Sequence, residues 1–146
     1  FTIAAATLAS AAAGTGVCVD ENCSCADVGA DGHLNTGPLT ELKDNQFKNC
    51  AELTSVDMPE VTSTGIRSFL DCRNLITVNI PKVELIKGDT FRRCEKLTTA
   101  EMPEVTLIKA AAFWGSNKNH HFTVLHTIRE MYTGFKLQKK KGKRKG

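Results

Sequence analysis

The 146-residue chain contains no apolar run long enough to cross a bilayer, since the uncharged segment Phe1 to Gly16 is short, weakly apolar and rich in alanine. It also lacks G-x-S-x-G and H-E-x-x-H, and Gly14-Thr15-Gly16 is followed by Val19 where a dinucleotide fingerprint needs a third glycine. His120, His121 and His126 fall in HHFTVLH, which alternates like a strand, and read as part of a capping segment rather than as a metal set or a catalytic group. Aromatic residues are scarce, with one Trp and one Tyr, and none lies among the cations of the lysine-rich end, so that end offers no stacking platform for bases. These absences exclude a polytopic membrane protein and leave no motif for hydrolysis or hydride transfer. What remains is ordinary for a folded domain: 41% apolar and 24% charged residues, in a length that suits one domain with tails.

The net charge of +3 hides an asymmetry. Seven cations and no acid fall within residues 136–146, while the rest of the chain has twelve cations against sixteen acids. Any attraction to nucleic acid or to anionic membrane therefore rests on this basic tail, which reads as solvated and disordered. At the other end, residues 1–16 have Ala9 and Ala11 spaced as in an A-x-A cleavage site. They read as the apolar part of a secretory leader, with a mobile Ala-rich terminus as the alternative. Asn22-Cys23-Ser24 is a glycosylation sequon, used only if the chain is secreted.

The dominant feature is a repeat. Phe47, Phe69, Phe91 and Phe113 are each 22 residues apart, and other columns keep the same step: Cys50, Cys72 and Cys94; Leu53, Leu75 and Leu97; Pro59, Pro81 and Pro103. Three full copies are flanked by two degenerate ends, the first from Leu34 and the last with Ser116 in the cysteine slot. A fixed period without insertions predicts a β-rich repeat solenoid whose atypical ends act as caps. Within each copy LTSVDMP, LITVNIP and LTTAEMP alternate apolar and polar residues, which predicts a short strand ended by proline. The F-x-x-C-x-x-L spacing fits a tight 3₁₀-like or helical turn back to the next strand. Stacking would place like strands ~4.8 Å apart. Val124, Leu125, Ile128, Met131, Tyr132 and Phe135 recur at helical spacing, which predicts a capping helix over 125–135.

The cysteines fall into two groups. Cys50, Cys72 and Cys94 stand one coil apart, too far for mutual disulfides, whose Cβ atoms want ~3.5–4.5 Å, and read as buried thiols acting as small hydrophobes. Cys18, Cys23 and Cys25 lie in a polar stretch ahead of the repeats. One disulfide among them is expected, with a leftover thiol or a bond to Cys50. A zinc site would lack a fourth ligand at good spacing, although His33 is near. Neither metal nor cofactor is expected.

The unit F-x-x-C-x-x-L-x-x-V-x-[IM]-P-x-V-x-x-I resembles the BspA-like class of leucine-rich repeats, with Thr64 in place of Ile and Ala100 in place of Val as departures. The resemblance implies a curved leucine-rich-repeat fold, with short parallel strands on the concave side and turns or 3₁₀ segments on the convex side. It implies a secreted or surface protein that binds host protein, matrix or cells. The stretch with Cys18, Cys23 and Cys25 resembles the Cys-rich N-terminal caps of such proteins. The expected order is a leader over 1–16, a cap over 17–33, the repeats over 34–124, a helix over 125–135 and the tail. Strand alternation then assigns a concave binding row to His33, Asn35, Ser55, Asp57, Thr77, Asn79, Thr99, Glu101, His121 and Thr123. No Trp, Tyr or Arg lies on that row, whereas Arg67, Arg73, Arg92 and Arg93 cluster near the Phe turns as a competing surface. The expected function is non-enzymatic: a monomer binding a protein or glycan ligand in adhesion, the alternative being an intracellular scaffold docked through its tail.

Overall fold

Three residues of each alternating run form a strand, and copies one period apart pair side by side. The computed structural model describes residues 16–116 and the backbone of a final strand, Thr123–Leu125. The leader to residue 15, the tail over 136–146 and His121 lie outside the described residues. The main sheet is parallel, in the order β1 (His33–Asn35), β2 (Ser55–Asp57), β3 (Thr77–Asn79), β5 (Thr99–Glu101) and β7 (Thr123–Leu125). Leu34 lies opposite Val56, Val56 opposite Val78, and Val78 opposite Ala100, so the 22-residue step of the sequence is the register of the sheet. The second extended piece of each copy forms a smaller parallel sheet of β4 (Leu85–Ile86) and β6 (Leu107–Ile108). Single bridges carry this ladder back through Ser63 to Glu41. The result is a β-rich repeat fold.

The Phe segments form the expected tight turns but do not run on as 3₁₀ helices, and the reason is local. Cys50 N–H donates to the Phe47 carbonyl, Cys72 to Phe69 and Cys94 to Phe91, each three residues back, as in a 3₁₀ turn. Two residues per turn, however, adopt the left-handed conformation: Asn45 and Asn49, Arg67 and Asp71, Asp89 and Arg93, Ala111 and Gly115. Each flip breaks the helical run, and in Asn45 through Arg93 it aims the N–H at the neighbouring copy. Asn49 donates to Leu70 at 2.8 Å, Asp71 to Arg92 at 3.0 Å and Arg93 to Trp114 at 2.9 Å. Left-handed backbone costs a residue with a Cβ about 1–2 kcal/mol, which the bonds between copies offset. Among the described residues, Cys25–Asp27 is the one 3₁₀ segment.

Side chains pointing inward form continuous columns. Phe47, Phe69 and Phe91 are fully buried and stack with Phe113 at centroid distances of 5.2, 5.3 and 5.2 Å, their planes nearly parallel. The Leu53, Val56, Met58 and Val61 columns are buried in the same way. Thr64, in an isoleucine slot, keeps its hydroxyl satisfied by Thr90 Oγ1 at 3.0 Å and by the Lys87 N–H at 2.9 Å. Gly65 passes so close to the preceding copy that a Cβ there would overlap the backbone of Lys43 and Asp44.

The C-terminal end corrects two expectations. Thr99 pairs with Thr123 and Glu101 with Leu125, an offset of 24 rather than 22. Thr123 thus takes the row assigned to His121, because a shift of two residues preserves the inward and outward alternation of a strand. Leu125, expected to open a helix, ends β7 instead. The rest of that helix, 126–135, lies outside the described residues.

Two substitutions test this packing. Phe69→Ala removes the middle of the stack and is expected to lower stability by about 3–5 kcal/mol in urea unfolding. Gly65→Ala, small as it is, should destabilise by more than 1 kcal/mol, because backbone rather than a side-chain tip must move.

Candidate functional site

The polar rows of the main sheet come together as the alternation requires. The outer positions of β1, β2, β3 and β5 form one row of His33, Ser55, Thr77 and Thr99 and a second of Asn35, Asp57, Asn79 and Glu101. Between the rows lie Leu34, Val56, Val78 and Ala100, all buried. Thr123 continues the first row by backbone register. At the N-terminal edge, His33 Nδ1 lies 2.8 Å from Ser55 Oγ and its Nε2 lies 3.5 Å from Asp57 Oδ2. The trio has the composition of a hydrolytic triad but lacks its setting. The N–H groups of Thr54 and Ser55 both donate to the Gly32 carbonyl, so they are not available to an oxyanion. The arrangement suits hydrogen bonding to a ligand laid across the strands.

The Phe turns carry a second cluster, built from left-handed residues and their neighbours. Asp89 bridges Arg67 at 3.5 Å and Arg92 at 3.3 Å, and Asp71 bridges Arg73 at 3.5 Å and Arg93 at 3.2 Å. Arg92 also lies over the Trp114 ring, 4.7 Å from its centroid, within cation–π range. Sequence reasoning placed the four arginines near the turns but did not single out Trp114. The 22-residue offset from Arg92 was the signal that could have found it.

The N-terminal cap closes the sheet edge. Asn35 N–H donates to the Gly16 carbonyl at 2.7 Å, and Cys18 N–H to the Asn35 carbonyl at 2.7 Å, so the segment before β1 acts as an extra strand. Disulfides join Cys18 to Cys23 and Cys25 to Cys50, with Cα atoms 5.4 and 5.3 Å apart. The second bond ties the cap to the first full repeat. Asp27 lies beside the sulfurs of Cys18 and Cys23, but a disulfide supplies no thiolate to a metal, and the Asp27 carboxylate accepts the Ser24 N–H at 2.7 Å. Asn22 is exposed in the turn between Cys18 and Cys23.

The profile of the family described as BspA type leucine rich repeat region matches residues 33–135, in six copies. The chain belongs to that family. No curated protein and no solved structure matches it. Domains of this leucine-rich repeat class are generally non-enzymatic and serve protein interaction. Among the described residues, no helix is long and apolar enough to cross a membrane.

Inside the BspA-type repeats the cysteine column has a structural role. Cys72 Sγ donates to the Phe47 carbonyl at 3.0 Å and Cys94 Sγ to the Phe69 carbonyl at 3.2 Å, each 25 residues back. Ser116 in the same slot donates its hydroxyl to the Phe91 carbonyl. Burial pushes the Cys72 thiol up to about 12 from an ordinary 9.0, and pushes Cys94 well above that ordinary value. Both thiols therefore stay protonated and inert near neutral pH.

Three outcomes follow from the cysteines. In the native protein at pH 8, Cys72 and Cys94 should resist iodoacetamide and react only on unfolding, as read by mass spectrometry. Because the fold favours the protonated thiol, its contribution is complete below pH 9 and is lost as pH rises from 9 toward 12. Between pH 8 and 10.5, Cys72→Ser should accordingly lose about 2 kcal/mol less stability than the wild type. Cys25→Ser, which frees the cap, should cost about 3 kcal/mol in urea unfolding under oxidising conditions.

Proposed function

We propose that this chain is a non-enzymatic interaction module: a BspA-type solenoid, secreted or displayed at a cell surface, that binds a protein or glycan ligand in adhesion. The observation that carries this reading is the pair of polar rows on the main sheet, Ser55 to Thr99 and Asn35 to Glu101, held in strict parallel register. Short hydroxyl, amide and carboxylate groups on a rigid sheet can bind a ligand through many hydrogen bonds without reordering long side chains. The ligand lies across the strands, with His33 and Asp57 at one end and Thr123 at the other. The protein acts as a monomer.

The placement outside the cell is supported by the two disulfides of the cap, which need an oxidising compartment to persist. It is also supported by the A-x-A spacing at Ala9 and Ala11 and by the exposed sequon at Asn22.

Expression from the native upstream sequence in a secreting host, followed by intact mass before and after reduction and glycosidase treatment, tests the compartment. The expected product has lost its leader, holds two disulfides and carries a glycan on Asn22. A retained leader with six reduced thiols overturns secretion. The binding face is tested on arrays of matrix proteins and glycans: Thr77→Arg, which thrusts a long cation into the middle of the row, should weaken captured ligands by at least tenfold. Unchanged binding by that variant overturns the assignment of the face.

A further inference from the structure

The four Phe turns differ from the rest of the body in charge and in residue type. Residues 43–51, 65–73, 87–95 and 109–116 contain eight cations against four acids, whereas the remainder of residues 16–116 contains two cations against eleven acids. The separation is by column of the repeat, so the body presents a basic turn face on an otherwise acidic surface. This face also holds Trp114, the one tryptophan of the chain, which is 60% exposed, and Ile66, which is 45% exposed. Tryptophan and arginine are the residue types that most often dominate binding energy at protein interfaces, and the polar rows of the main sheet contain neither.

The arginines are held in place before any partner arrives. Asp71 and Asp89, mostly shielded with 19% exposed side chains, each bridge two of them. The Trp114 ring packs against the Arg92 guanidinium, 4.7 Å from centroid to Cζ. A guanidinium has more N–H donors than the one bridge to Asp71 or Asp89 uses, and fixing it in advance removes part of the ordering cost of binding.

We propose that this turn face is a docking surface, distinct from the polar rows of the sheet, for an acidic polypeptide segment that alternates carboxylates with apolar side chains. The carboxylates pair with Arg67, Arg73, Arg92 and Arg93, and the apolar groups cover Trp114 and Ile66. A sulfated polysaccharide fits less well. Asp71 and Asp89 half-neutralise the arginine cluster, and a sugar sulfate chain has no apolar group to cover Ile66.

The single tryptophan makes the test specific to this face. The probe is a synthetic peptide alternating Glu with Phe, titrated into the full chain at 50 mM salt with excitation of Trp114, and with heparin as the comparison. To remove the basic tail as a competing site, the same titration is run on a variant with the seven cations of 136–146 changed to Gln. The expected result in both proteins is a saturable change in Trp114 emission. Its apparent Kd should weaken at least tenfold in Arg92→Gln and at least tenfold at 300 mM salt, and remain unchanged in Thr77→Arg. In Trp114→Ala, binding followed by anisotropy of a labelled peptide should weaken by at least tenfold. The proposal is overturned if the peptide leaves emission unchanged, or if the response vanishes with the tail cations. It is equally overturned if heparin alone produces the response, or if emission shifts with protein concentration in the absence of peptide, which marks self-association. Failure of Thr77→Arg to affect ligands of the sheet would leave this result untouched, so the two faces are judged separately.

Discussion

Everything in this protein depends on the stack of Phe47, Phe69, Phe91 and Phe113, because rings packed about 5.2 Å apart fix the distance at which one copy can follow another. That distance is close to the spacing of hydrogen-bonded strands, so the aromatic column and the backbone ladders reinforce each other. A copy with one residue more or less would carry its phenylalanine out of the column and its strand out of register. The constant 22-residue step from Phe47 to Phe113 is a consequence. Such a stack has no natural end, since a terminal copy leaves one face and one strand edge unpartnered. At the N-terminus the edge is closed by Gly16 to Cys18, which bond to Asn35, and the cap is fastened by the Cys25–Cys50 disulfide.

The cysteine column shows how one slot accommodates different neighbours. Cys72 and Cys94 each find a phenylalanine carbonyl 25 residues back, and Ser116 makes the same bond with a hydroxyl. Twenty-five residues before Cys50 there is Cys25 rather than a phenylalanine, and the two sulfurs join. A thiol therefore serves as a weak donor inside the array and as a covalent tie at its end. The apparent breakdown of the repeat at Ser116 is a conservation of its hydrogen bond.

Because inward columns are committed to packing, recognition is left to the outward ones. The sheet presents short polar groups that add little entropy cost, while the turns present arginines held by Asp71 and Asp89 and supported by Trp114. One repeat unit thus generates two surfaces of different chemistry, a mild polar one and a basic, partly apolar one. Their charges differ although both arise from the same register.

The strands, their parallel register, the core columns and the family were legible in the sequence, because a period of 22 with alternation of two leaves one way to hide the apolar residues of every copy. The buried thiols Cys72 and Cys94 were legible for the same reason, whereas Cys50, read as a third, is taken up by the disulfide to Cys25 because no phenylalanine carbonyl precedes it by 25 residues. Several features became visible only in three dimensions. The left-handed residues include Arg67, Arg93 and Ala111 beside the more usual Asn, Asp and Gly, so residue type alone did not mark them; from Asn45 to Arg93 their N–H groups gain partners in the next copy. The choice among the four N-terminal cysteines required knowing which sulfurs the fold brings together. The shift of β7 by two residues is invisible to a strand's alternation, which reads the same at 22 and 24. The repeat places Trp114 one period after Arg92, but that the guanidinium lies over the ring is decided by the packing of one copy on the next. The sequence determined by itself what must be buried and at what interval, since burial follows periodicity; the tertiary structure decided which polar groups meet, because those meetings are made between copies.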